Sequence, residues 1–148
     1  MAGEHAVRKH LPDNRQSITH KVVIDRITDL YITVGLFPDT EQPGEVFFVV
    51  GKVGSTLRGM LDLLGIQTSL LLQYGVELPD LCDKMVGVSF APNGMTNNPD
   101  IPLCSSLADY AFRWLRLRFV ERYTPPGQPM EPPVLFPNLI GQEQPALD

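Results

Sequence analysis

From Ser17 onward the chain alternates. Ile18, His20, Val22 and Ile24 fall on one side of an extended segment, with Thr19, Lys21 and Val23 on the other. That period of two marks a half-buried strand. Residues 30–37 repeat it with Leu30, Ile32, Val34 and Leu36 toward the core, and residues 45–50 set Val46, Phe48 and Val50 against Phe47 and Val49. Residues 25–29 make a short connection. Residues 38–44, rich in turn formers, suit a hairpin loop longer than the tightest type. The pattern predicts an antiparallel meander of three strands.

After the third strand the period changes. Leu57, Leu61, Leu64, Thr68, Leu71 and Leu72 form one helical stripe, and Met60, Leu63, Ile66 and Leu70 carry apolar character around much of the circumference. A first helix over residues 56–74 is expected to stop at Gly75, a natural residue beyond a helix end. Apolar on most sides, it belongs either at the centre of the domain or against another subunit. Gly59 and Gly65 would let a neighbour approach closely. A second helix is expected from Leu78, with Pro79 in its first turn, to just before Gly87. Residues 88–90 read as a short extended piece and residues 91–100 as a loop. A last helix begins at Ser105 or Ser106 and runs toward Tyr123. Ser106 and Asp109 make a weak form of the capping box, and Leu107, Tyr110, Ala111, Trp114 and Leu117 form the buried stripe. From Thr124 the prolines exclude helix and central strand, so an extended, polyproline-like tail is expected. The organisation is a polar arm (1–14), a single α+β domain (15–123) and a proline-rich tail (124–148).

At 148 residues, 43% hydrophobic and 20% charged, the chain has the composition of one ordinary globular domain. Its net charge of −5 argues against non-specific nucleic-acid binding, which needs a basic field. The N-terminal residues lack the apolar core of a signal peptide, and the longest apolar stretch is interrupted by Arg58, Asp62, Gln67 and Gln73, too polar to span a bilayer. Two cysteines without a CxxC pattern fit a reducing compartment, so a cytoplasmic location is expected.

The chemistry on offer is narrow. His5, His10 and His20 have no metal-ligand spacing, and His20 is expected to be a hydrogen-bonded packing residue rather than a base. No nucleophile elbow, Walker loop or Rossmann fingerprint occurs. No catalytic residue, metal or cofactor is expected. The segment Gly51-Lys52-Val53-Gly54-Ser55-Thr56 stands out, because glycines and a lysine precede a helix start that Ser55 or Thr56 could cap. Free N–H groups and the helix dipole converge there on a possible anion site; the alternative is a simple chain reversal. Arg15, Lys21, Arg113 and Arg116 are the basic residues expected to assist at such a site.

Several segments, in order, resemble one family. They are residues 8–21 (RKHLPDNRQSITHK), 31–36 (YITVGL), 43–47 (PGEVF), 51–56 (GKVGST), 72–76 (LQYGV), 90–94 (FAPNG), 98–102 (NPDIP) and 106–115 (SLADYAFRWL). Together they look like the region that follows the catalytic barrel in adenosylcobalamin-dependent (class II) ribonucleotide reductases, and cover about residues 8 to 120. The region is also similar to small stand-alone domains named TSCPD after a five-residue motif. At the equivalent place, residues 101–107 (IPLCSSL) keep the cysteine and the following helix but not the motif's letters. The resemblance implies a non-catalytic module, because the reductase's radical cysteines and cobalamin site lie in the barrel. The family's cysteine-rich tail is replaced here by residues 125–148, which contain no cysteine.

Two functions follow as expectations. Some reductases of the family are divided between two polypeptides, which implies an accessory or regulatory subunit docking on a large reductase chain. The alternative is a free-standing protein that binds a nucleotide or another phosphorylated small molecule at residues 51–56. A homo-oligomer is expected in either case, from the apolar excess of the first helix.

Overall fold

The structure, a computed structural model, describes residues 5–127. Strands β1 (Ser17–Ile24), β2 (Thr28–Leu36) and β3 (Pro43–Val50) form an antiparallel sheet in the order β1-β2-β3. His20 faces Ile32 across the first pair and Ile32 faces Phe48 across the second. One sheet face is therefore a continuous apolar layer of Val22, Ile24, Leu30, Ile32, Val34, Val46, Phe48 and Val50, all buried. The alternation in the sequence specifies this register, since a slip of one residue would turn every one of these side chains to water.

Three helices complete the α+β fold: α1 (Ser55–Gln73), α2 (Leu78–Met85) and α3 (Leu107–Arg116). The first packs on the meander along β3. Leu61, Gly65, Thr68 and Leu72 are its buried side, and a Cβ at Gly65 would come within 3.0 Å of the Val46 carbonyl, so glycine sets that close approach. Ser69 Oγ accepts from Val46 N–H (2.9 Å) and donates back to Val46 C=O (3.2 Å). These bonds satisfy the open edge of the sheet. The helix ends as expected. Gly75 has a φ of 91°, and the N–H groups of Gly75 and Val76 bond the carbonyls of Leu72 and Leu71, a Schellman closure.

The centre of the domain belongs to α3 instead of α1. Leu107 through Phe112, Trp114 and Leu115 are all buried, with Phe112 against Phe48 of the sheet at a ring separation of 6.2 Å. Four arginines in residues 113–122 disguise this burial in the sequence. The regular α-helix also stops at Arg116 and continues as one π-helical turn over Leu117–Glu121, short of Tyr123. Leu117 is only partly buried, and Leu71, placed in the expected α1 stripe, is exposed. Ser106 caps α3 by accepting from Asp109 N–H, as the sequence indicates. At α1 the expected cap does not form: Ser55 and Thr56 lie inside the first turn, and the cap residue is Gly54, which has no side chain to bond.

Two short strands pair here, β4 (Gly94–Met95) inside the segment read as a loop and β5 (Leu103–Cys104) just beyond it. Thr96 then bridges to Ile24, and Asp25 N–H donates to Met95 C=O at 2.8 Å. The second open edge of the sheet is thereby covered over part of β1. The polar arm is also tied down. Arg8 Nε donates to Gln73 Oε1, Lys9 N–H to Gln73 C=O, and Lys9 pairs with Asp39 at 2.8 Å. Of the expected proline-rich tail (124–148), residues 128–148 lie outside the described residues.

Candidate functional site

The turn between β3 and α1 is built as the sequence suggests, but not all of the expected basic residues meet there. Gly51 N–H closes on Asp29 C=O at 3.0 Å. Lys52 takes a left-handed φ of 62°, and a Cβ at Gly51 or Gly54 would touch nothing within 4 Å. With Gly54, Ser55 and Thr56 exposed and no acidic residue in the first turn, the N-terminal N–H groups of α1 open outward. Chemically this end can accept an anion.

Lys21 is the nearest of the expected partners in register. Its row across the sheet runs Lys21, Tyr31, Val49, and its ammonium sits over the Tyr31 ring at 5.6 Å. Arg15 lies at the other end of β3, bound to both carboxylate oxygens of Glu45 at 2.6 and 2.9 Å. Glu45 and Val50 are five residues apart on one strand, roughly 17 Å. Arg113 donates to Leu103 C=O and Asp109, and Arg116 reaches Asp83 of α2 at 2.8 Å. The structure thus groups Gly51, Lys52, Gly54, Ser55 and Thr56, and holds Arg15, Arg113 and Arg116 in ion pairs elsewhere.

The groups with the most reactive chemistry are engaged in the fold. Cys82 donates to Phe112 C=O at 3.3 Å, and burial pushes its thiol up to about 11. Burial also raises the Cys104 thiol, which leaves little thiolate at neutral pH. His20 stacks on Trp114 with ring centres 4.6 Å apart, and its Nε2 lies 2.7 Å from Tyr110 Oη. Asn98 Nδ2 donates to the same phenol oxygen at 2.9 Å. Donation of the phenol hydrogen to Nε2 uses every group of the network and corresponds to a neutral His20 protonated at Nδ1. Among the described residues, no group of three His, Cys, Asp or Glu is placed to hold a metal. No helix among them is long and apolar enough to cross a membrane.

The His20 network predicts a pH dependence. Burial lowers its pKa from 6.5, so the unfolded chain takes up the proton first. Stability from this site is therefore full above pH 6.5 and is lost as the pH falls below it. Urea midpoints measured between about pH 7.5 and 5 should fall with pH, and fall less steeply in His20→Gln. Equal slopes would remove His20 from the explanation.

An apolar groove of about 430 Å³ runs beside α1, bounded by Leu57, Leu64, Met85, Val88 and Phe90. Sequence reasoning noted residues 88–90 as an extended apolar piece but had no means of placing them beside α1. Ser105 and Ser106 hydroxyls hold the Val88 carbonyl, and Phe90 N–H bonds Ser105 C=O. These bonds fix that wall of the groove.

Comparison with known proteins bears on the whole of this architecture. The pattern that defines the TSCPD domain matches residues 6–119, from the arm into the turn that ends α3. The chain belongs to the TSCPD domain family. Its similarity to named proteins points the same way. Over 114 residues it is 43% identical to a vitamin B12-dependent ribonucleotide reductase of Rhodopirellula baltica, covering 77% of this chain and 11% of that one. It is 42% identical to the enzyme of the same name from Streptomyces avermitilis, covering 77% of this chain and 12% of that one. A Streptantibioticus cattleyicolor relative is 41% identical, with 77% and 19% covered. This TSCPD domain therefore spans about a tenth to a fifth of the length of these relatives, and corresponds to one region of a class II reductase. No solved structure matches it. Residues 101–107 supply β5, the buried Cys104 and the Ser106 cap of α3.

Proposed function

We propose that this TSCPD domain is a non-catalytic accessory or regulatory module that works by protein interaction with a B12-dependent ribonucleotide reductase chain, in the cytoplasm and in deoxynucleotide metabolism. The observation that carries this reading is the match of 77% of the chain to about a tenth of a reductase. Its support in the geometry is that Cys82, Cys104, His20, Tyr110 and Asp109 are committed to packing and internal hydrogen bonds. The groove beside α1 offers an apolar seat for side chains of the larger chain.

The test is capture of a purified B12-dependent reductase chain on the immobilised domain. Wild type should retain it, and Val88→Asp, which puts a charge on the exposed groove wall, should weaken retention at least tenfold. Failure of wild type to bind, or equal binding by both proteins, would reject the docking reading. The open, uncapped start of α1 favours a second reading, a nucleotide or other phosphorylated ligand held by residues 51–56. Under it, Lys52→Ala abolishes binding of deoxynucleoside triphosphates in equilibrium dialysis while reductase capture is unchanged.

A further inference from the structure

We infer that this protein pairs with a second copy of itself through the outward face of α1, the two helices running antiparallel about a two-fold axis. Opposite the side that packs on β3, the helix places Gly59, Leu63, Ile66 and Leu70 at successive spacings of four, three and four residues. That is the seam of a coiled coil, in which each apolar side chain enters a hole on a facing helix. Among the described residues the seam has no cover: Leu63, Ile66 and Leu70 are 51%, 58% and 38% exposed. Met60 and Tyr74 extend it on one flank, also exposed. A specific interface begins at about 1,200 Å² in total, about 600 Å² from each copy, and the pairing requires the seam and its flank together.

Charge selects the occupant. In its 19 residues α1 carries Arg58 and Asp62 and no other charge, so its face is neutral. A strongly acidic or basic partner would find no counter-ion, whereas a second neutral α1 needs none. Gly59 selects the direction. A glycine inside an exposed helix destabilises it relative to alanine, and a Cβ there would touch nothing within 4 Å among the described residues. A parallel pair would set two such glycines together and leave a void. An antiparallel pair centred between Leu64 and Gly65 puts Gly59 against the partner's Leu70 and Leu63 against the partner's Ile66. Small then faces large at both ends of the seam.

The seam shares Met60 and Leu63 with the groove beside α1, but the test of the pairing needs no reductase. Sedimentation velocity on the full chain at about 100 μM should give a species of twice the 16.5 kDa chain mass. Ile66→Asp with Leu70→Asp should give the monomer, with helical circular dichroism unchanged. Gly59→Leu is the sharper variant. At an uncovered surface it would stabilise the helix and leave the assembly alone; at this seam it must dissociate the dimer by tenfold or more while the monomer stays folded. A monomeric wild type at that concentration, or a dimer unmoved by Gly59→Leu and by the double variant, would overturn the proposal.

Discussion

Phe112→Ala is expected to destabilise this protein by about 3–5 kcal/mol, the range for removing a fully buried aromatic ring. Phe112 has no exposed surface. On one side its ring meets Phe48 of the sheet, and its carbonyl takes the Cys82 hydrogen bond from α2. It therefore joins three elements, and the space it leaves cannot collapse without moving a strand or a helix. Against a typical total of about 5–15 kcal/mol for a domain, about a fifth or more of the stability would go. Urea unfolding followed by Trp114 fluorescence measures it. Val49→Ala, on the exposed sheet face, is the control and should stay within about 0.5 kcal/mol. A Phe112→Ala loss below about 1 kcal/mol would mean that α3 is not the centre of the core.

That prediction could not have been made from the sequence alone. The strands were legible because period-two alternation has one physical solution, burial of one face. The expected start at Ser17 and end at Val50 agree with the structure, and the helix end at Gly75 follows from the left-handed φ that glycine supplies there. The burial of α3 beyond the stripe its spacing gives, at Ala108, Asp109, Phe112 and Leu115, was not legible. Composition makes α1 the more apolar helix, yet burial depends on what else competes for the sheet. α3 brings Tyr110, Phe112 and Trp114, whose areas outweigh those of leucines, and its arginines reach out to Leu103 and Asp83 without drawing the helix to the surface. α1 is then left on the β3 edge with one side uncovered. The turn at residues 51–56 was legible as local geometry, because glycines and an exposed helix start announce themselves. Its relation to Arg15, Arg113 and Arg116 was not, since each is claimed by carboxylates or carbonyls 3 to 33 residues away in sequence. The groove wall at Val88 and Phe90 was equally hidden, because it depends on the two serines ahead of α3.

Asp109 supports the second large effect. Its carboxylate accepts from Gly87 N–H at 2.7 Å and Ser105 N–H at 3.0 Å, with Arg113 beside it at 3.4 Å. Its side chain is 5% exposed. One side chain therefore fixes the end of the α2 connection, the entry to α3 and the serines that shape the groove wall. Burial works to raise its pKa, but the two backbone N–H bonds and the Arg113 charge outweigh that and hold it below 3.8. A carboxylate lowered in the folded state contributes stability above the unfolded value and loses it as the pH falls through the folded one. Asp109→Ala takes the acceptor away from two part-buried N–H donors, at about 1–2 kcal/mol each, so a total loss of about 2–4 kcal/mol is expected at pH 7. Asp109→Asn keeps one acceptor oxygen and should lose less. The acid side carries the decisive contrast. Between about pH 5 and 2 the wild type should lose stability relative to Asp109→Asn, because the variant has no proton to take up at this position. Parallel pH profiles for the two proteins would show that the charge on Asp109 contributes nothing and that its hydrogen bonds alone hold the joint.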